Sequence, residues 1–365
     1  MVIYEIIGIW FMVQIPIFSN SQNKLKKPYK YSNILKLFLF LDFTLLIVIA
    51  GFRDIHVGTD LKTYSYWFRE LSKYGLLEIA QWTKNSAIEI GYGIIAKFSS
   101  IVSQGSLPFI LIVFNTIMFI CIYKGCRIYS SNIILSAYLF ITFSLYNQSF
   151  NINGQCVAAA IVILSLKYIE TKNLKRFLIV IIIAFLIHKS AAFLLILYPL
   201  GHLKKNPKKY SLAIVACSFI LSMSANYVIP LIVNNTIYSS YLSKEVSSET
   251  GVGIIMNALL FALFYIFYKQ MCENDSMTYI WLYAAAITLS INFFIKDLAI
   301  IGRLMIYFKF YYIISIPSFV KSIKDYKMRI IIEMGIVMLF GIYYYHSIHG
   351  SCFGTVPYSS EYLGI

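Results

Sequence analysis

Apolar runs of about 17 to 25 residues, long enough to cross a bilayer core, recur along the chain. Short polar stretches in which Lys and Arg collect separate them. The runs cover residues 2–18, 34–51, 107–123, 133–146, 156–169, 210–229, 254–268, 278–295, 300–319 and 330–345. Basic residues stay on the cytoplasmic side of short loops. Lys24, Lys26, Lys27 and Lys30 after the first run therefore place the N-terminus outside, and residues 52–90 form a large external loop. That loop sets Arg53, Lys62, Arg69, Lys73 and Lys84 against Asp54, Asp60, Glu70, Glu78 and Glu89, so it has no positive bias. Residues 230–252 form a second external loop, with Glu245 and Glu249, and the tail from His346 is external.

Two stretches break the pattern. Residues 91–103 are weakly apolar and carry Lys97; a crossing there would put Lys124 and Arg127 outside, so a short re-entrant or interfacial helix is expected. Residues 177–203 are interrupted by His188-Lys189-Ser190 with basic residues at both ends, which predicts a broken helical hairpin with His188 and Lys189 at its outer tip. The sum is about ten spans plus two broken elements in one polytopic, all-α domain over residues 1–365.

Composition agrees: 59% of residues are hydrophobic, 13% charged, and the mean hydropathy is +0.73. Soluble domains carry about a quarter charged residues. The alternation of short strands that marks a membrane β-barrel is missing from the sequence. The net charge of +15 resides in loop lysines, so it sets orientation and does not mark nucleic-acid binding. Cys121, Cys126, Cys156, Cys217, Cys272 and Cys352 are scattered, without CxxC or metal spacing. No carboxylate set resembles a metal site, and no cofactor is expected. The first run has no basic residues before it, so it is expected to be a first membrane helix and not a cleaved signal peptide.

The uncommon charges near spans gather on the outer face: Arg53, Asp54, Asp60, Glu89, His188, Lys189, Lys296, Asp297 and Arg303. Charge at a membrane edge is costly and usually has a reason. Arg53 and Arg303 are candidates for holding phosphate, because a guanidinium fork binds oxygens in pairs and stays charged. Alternatively, Arg53 snorkels at a helix end and Arg303 pairs with Asp297. Asp60, Asp54, Glu89 and His188 are candidates for taking a proton; Asp60 alternatively caps a helix or turn, and Glu89 and Asp54 alternatively form salt bridges. Asn147, Gln148, Asn151, Asn153 and Gln155 either bond sugar hydroxyls or make a polar turn.

Arg53, Gly58-Thr59-Asp60 and Tyr64 together resemble the R…GTD…Y segment of the EpsG-like, Wzy-type polysaccharide polymerases. Glu89-x-Gly91-Tyr92 resembles the E-x-G-[FY] segment of that family, and Asn151-x-x-x-Gln155 with Val157-Ala158 its N-x-I-R-Q-x-[LI]-A segment. His188-x-Ser190-Ala191, Gly302-Arg303-Leu304 and the terminal Val356-Pro357-Tyr358 resemble its later elements, in the same order. One departure is Gly154, where the family often has Arg; Lys189 or Lys296 would then supply the missing cation.

The resemblance implies an O-antigen or exopolysaccharide repeat-unit polymerase in the bacterial inner membrane with its site on the outer face. Its substrate would be an oligosaccharide on undecaprenyl pyrophosphate, within membrane lipid, with a flippase and a chain-length regulator as partners. Catalytic roles would fall to Asp60, His188 and Glu89. Substrate binding would fall to Arg53, Asp54, Lys189, Lys296, Arg303, Asn151 and Gln155. Two other classes stay open: a lipid-linked oligosaccharide flippase or transporter, and a glycosyltransferase using a polyprenyl-phosphate sugar. A transporter would place its charges along a central path and often shows repeated halves; here the charges gather on one face.

Overall fold

The computed structural model describes residues 1–23, 33–75, 78–84, 88–233, 249–295 and 298–365. Lys296 and Asp297, Glu245, and the lysines between the first two helices lie outside the described residues. Among the described residues every regular element is helical, as the apolar pattern requires of a bundle that must satisfy its own backbone in lipid.

The helices start and stop where local chemistry dictates. Asn132 accepts from Leu135 N at 3.1 Å, Asn173 from Arg176 N at 3.0 Å and Asp325 from Met328 N at 2.7 Å, each capping a helix start. Pro108 and Pro207 sit in first turns, where their missing N–H costs nothing. Ser144, with φ 56°, ends Ile133–Thr142 before the short helix Leu145–Gln148.

Burial sorts the helices into a centre and a lipid-facing ring. Ile133–Thr142, Asn153–Ile163 and Thr278–Asn292 are buried along their whole lengths, as expected for helices apolar all round. Asn33–Phe52 instead buries Leu35, Leu39, Asp42, Leu46 and Ile49 and exposes Ile34, Leu37, Phe40, Leu41 and Leu45. Such an exposed apolar face matches lipid. Asp42 was not anticipated: it lies mid-helix, 3% exposed, and accepts from Trp10 Nε1 at 2.7 Å and Gln14 Nε2 at 3.2 Å, so it ties the first two helices together.

Among the described residues four helices are long and apolar enough to cross a membrane: Asn33–Phe52, Leu107–Tyr129, Ile300–Ser322 and Tyr326–His349. The pair Pro207–Ser222 and Ala225–Val233, bent by 81°, makes a fifth if it is one span. The other expected spans fall on Val2–Asn23, Ile133–Thr142, Asn153–Ile163 followed by Leu166–Glu170, Glu249–Ile266 followed by Tyr268–Cys272, and Thr278–Asn292. A hydropathy run is blind to such kinks because the residues stay apolar through them.

Of the two anomalous stretches one is a short helix and the other is broken. Ile90–Val102 has 13 residues, about 20 Å and short of a ~30 Å bilayer core. Its Lys97 Nζ donates to Ser72 O at 2.7 Å and Leu71 O at 3.3 Å, capping the end of Leu61–Ser72. Leu174–Ile187 stops at His188, whose extended backbone (φ −156°, ψ 120°) turns the chain into the 3-10 segment Lys189–Ile196. That segment packs back on the helix, which gives the expected hairpin.

Candidate functional site

Arg53 stands at the end of Asn33–Phe52, where the last carbonyls of the helix lack intrahelical partners. Side chains supply them: Arg53 Nη1 donates to Ala50 O, Tyr358 OH to Ile49 O at 2.9 Å, and Ser360 Oγ to Phe52 O at 2.6 Å. Arg53 Nη2 also reaches Phe150 O at 3.1 Å, and the guanidinium lies 4.4 Å over the Phe150 ring. It is 4% exposed, and among the described residues no carboxylate pairs with it. Its charge meets the negative end of the helix dipole and the ring face. Both Nη atoms are therefore used inside the fold, while Nε is buried without a hydrogen-bond partner among the described residues.

The chain then turns through Gly58, with φ +94°. A Cβ there would come within 2.6 Å of Asn151 Oδ1, so the position needs glycine for both conformation and space. Asn151 Oδ1 accepts from Thr59 N at 2.8 Å while its Nδ2 donates to Phe353 O at 2.7 Å. Gly58 N donates to Gly354 O at 2.8 Å. Asp54 accepts from Glu361 N at 3.0 Å, and that bond first, then one from the Ser359 hydroxyl, holds its carboxyl below the ordinary range. Residues 351–361 are thus a strap over the 53–60 loop, with Asn151 as the clamp.

Asp60 precedes Leu61–Ser72 but makes no side-chain cap; its Oδ1 accepts from Thr59 Oγ1 at 2.9 Å. Tyr64, one turn on, sits between two acids. Burial first, then the Asp60 carboxylate, and more weakly Glu89, push its phenol up, while the Gly154 amide opposes them. Asp60 and Glu89 therefore both act on the Tyr64 phenol through space.

Glu89 opens Ile90–Val102, and its Oε1 accepts from Lys189 N at 3.0 Å. Both line a cavity of about 280 Å³ with Thr83, Phe185 and Leu186. The helices meet closely because Gly91 lies on the Leu186 backbone, where a Cβ would be 2.7 Å from Leu186 O. Burial holds the His188 imidazole below its ordinary pKa; Glu89 opposes this, and Arg303 and Lys189 reinforce it. Glu89, Lys189 and Arg303 thus all act on His188 through space.

His188 Nδ1 lies 2.8 Å from Ser190 Oγ and faces Ser190 N–H at 3.4 Å, and Ser190 Oγ lies 2.9 Å from Tyr307 OH. With Nδ1 accepting, the neutral ring carries its proton on Nε2. Removing the relay should free Nδ1 to titrate. Ser190→Ala and Tyr307→Phe are expected to lower turnover by about tenfold and to move the pH profile of the reaction. Unchanged profiles in both variants would show that the relay does not hold the ring.

Arg303 lies in the last turn of the 3-10 segment Ala299–Leu304 and is exposed. Gln155, 1% exposed, donates to Arg303 O at 2.7 Å and fixes its backbone. No carboxylate pairs with Arg303 among the described residues, and the expected partner Asp297 lies outside them. Gly154 lies beneath the Tyr92 ring, which a Cβ would approach to 3.2 Å. An arginine there would push on Tyr92; among the described residues, Lys189 and Arg303 are exposed cations that act on His188.

The polar cluster is mostly internal. Asn147 bonds Thr355 Oγ1 at 2.8 Å and Tyr344 OH at 3.2 Å, and Asn153 accepts from Tyr92 OH at 3.2 Å. Only Gln148 keeps partial exposure with no side-chain bond described. Tyr307 and the 351–361 strap were missed. The strap had a signal in Val356-Pro357-Tyr358; Tyr307 had only its place one turn after Arg303.

An all-α polytopic membrane protein in which an acid, a histidine and cations unpaired among the described residues lie near one another is the class these features define. The chain belongs to the EpsG family, whose family model matches residues 36–360. No curated protein and no solved structure matches it. Membership supports a polysaccharide polymerase-type function of glycosyltransferase-like kind.

Proposed function

We propose that the protein polymerises O-antigen or exopolysaccharide repeats at the outer face of the bacterial inner membrane. The growing glycan is transferred from undecaprenyl pyrophosphate to the non-reducing sugar of a new lipid-linked repeat. The observation that carries this is the bond from Lys189 N–H to Glu89 beside His188, with Arg303 of a third segment acting on the same imidazole.

In the reaction, the acceptor hydroxyl attacks the anomeric carbon of the growing chain. The bond from that carbon to the diphosphate oxygen breaks, and undecaprenyl pyrophosphate leaves. Glu89 takes the hydroxyl proton, since its carboxylate lines the cavity and His188 offers only a protonated Nε2. Asp54 is a poor base because its carboxylate is already bonded by Glu361 and Ser359. Asp60 orients the acceptor sugar through its other oxygen. Lys189 and Arg303 bind the diphosphate and oppose the charge that grows as it leaves. Arg53, Asn151 and Gln155 are positioning residues that hold the loops. Lys296, outside the described residues, remains a proposed substrate contact. A flippase would deliver the repeats and a chain-length regulator would act on the product.

A deletion strain complemented with wild-type or Glu89→Gln protein tests the reading. Deletion should leave single repeats on the lipid core; wild type should restore the ladder, and Glu89→Gln should leave it at least about 10²-fold weaker. Lipid-linked repeats that accumulate on the inner leaflet in the deletion would instead identify a flippase.

A further inference from the structure

A second cavity, of about 410 Å³, lies at the end of the bundle away from the 53–60 loop. The start of Leu107–Tyr129 packs against Gly51, beside the loop. Toward its other end, about 25–33 Å along the axis from Leu107, the same helix carries Lys124, Arg127, Ile128 and Tyr129 into the cavity wall. Lys167 and Tyr168 complete it from the end of the central helix pair. The helices close on each other because Gly125 has no side chain and Ile163 packs over it.

We propose that this cavity binds the headgroup of an anionic glycerophospholipid. Three cations face one opening, all exposed, and among the described residues no carboxylate pairs with any of them. Glu170, the acid that Tyr129 reaches, has its oxygens taken by Tyr129 OH at 3.2 Å and Ser276 Oγ at 2.7 Å. The volume falls within the roughly 300–1,000 Å³ of small-molecule sites.

Apolar surface beside the cations favours lipid over free phosphate. Ile120, Lys124 and Ile128 follow one another at four-residue spacing, so they share a face of the helix. Ile120 is 47% and Ile128 58% exposed, a strip for an acyl chain leading from the headgroup. Basic pockets at helix ends recognise acidic headgroups in this way, and the guanidinium of Arg127 can hold two phosphate oxygens. Neither the cavity nor its residues belong to the site around Glu89, so the inference stands apart from the proposed reaction.

The test is native mass spectrometry of the full-length protein in detergent, with phosphatidylglycerol, phosphatidylethanolamine or inorganic phosphate added. Wild type should retain phosphatidylglycerol over phosphatidylethanolamine. Lys124→Gln/Arg127→Gln/Lys167→Gln should retain it on the order of tenfold less. A charge-matched control, Lys172→Gln/Lys205→Gln/Lys209→Gln, should behave as wild type. Equal retention of both lipids, equal loss in the control, or displacement of the lipid by millimolar phosphate would each overturn the proposal.

Discussion

Arg303→Ala is expected to remove the polymer ladder while the protein reaches the membrane at its normal level. Its guanidinium is exposed and unpaired among the described residues, and only its backbone carbonyl is used, by Gln155. Loss of the side chain therefore leaves the packing alone but removes a cation from the leaving diphosphate. Deleting one such group costs about 10²–10³ in rate. Arg303→Lys should recover part of this, since it restores charge but not the fork. Arg53→Ala should behave oppositely. It strips the carbonyls of Ala50 and Phe150 of their donor, at about 1–3 kcal/mol for each buried group left unsatisfied, so the amount of folded protein falls first. Membrane levels by immunoblot, read beside the ladder, separate the two effects. A full ladder in Arg303→Ala would remove this residue from the reaction.

The second large effect is expected at a glycine. A Cβ on Gly91 would stand 2.7 Å from Leu186 O and 2.9 Å from Leu186 C, backbone atoms that cannot swing aside. Gly91→Ala must push Ile90–Val102 away from Leu174–Ile187 and carry Glu89 off Lys189. A shift of about 1 Å in such a constellation costs on the order of 10²-fold. Gly93→Ala makes the comparison, because its Cβ would meet only the Ile79 and Thr83 methyls at 3.3 Å. It should retain most of the ladder, while Gly91→Ala loses it at matched protein level. If both variants polymerise alike, close approach of these two helices is not what places Glu89.

The helical class, the membrane setting and the broken hairpin at His188 were legible in the sequence, because each follows from a one-dimensional signal. Apolar runs report lipid or core, lysines report loops, and two charged residues inside an apolar run report a break. The number of continuous spans was not legible: kinks such as the one at Ser144 or the 81° bend before Ala225 leave hydropathy unchanged. Asp42 could have been seen as the one acid in its run, but its partners on the first helix could not.

The same division holds at the site. Residue type and order along the chain were enough to nominate Arg53, Asp60, Glu89, His188 and Arg303. Type and order say nothing about what a side chain touches. Only the fold decided that Arg53 is consumed by a helix end and the Phe150 ring, and that Asn151 clamps two loops. It also decided that Glu89 meets Lys189 across a hundred residues of chain. Such contacts depend on where separate helices cross, and that is set by close packing at positions such as Gly91, which no local pattern along the chain encodes.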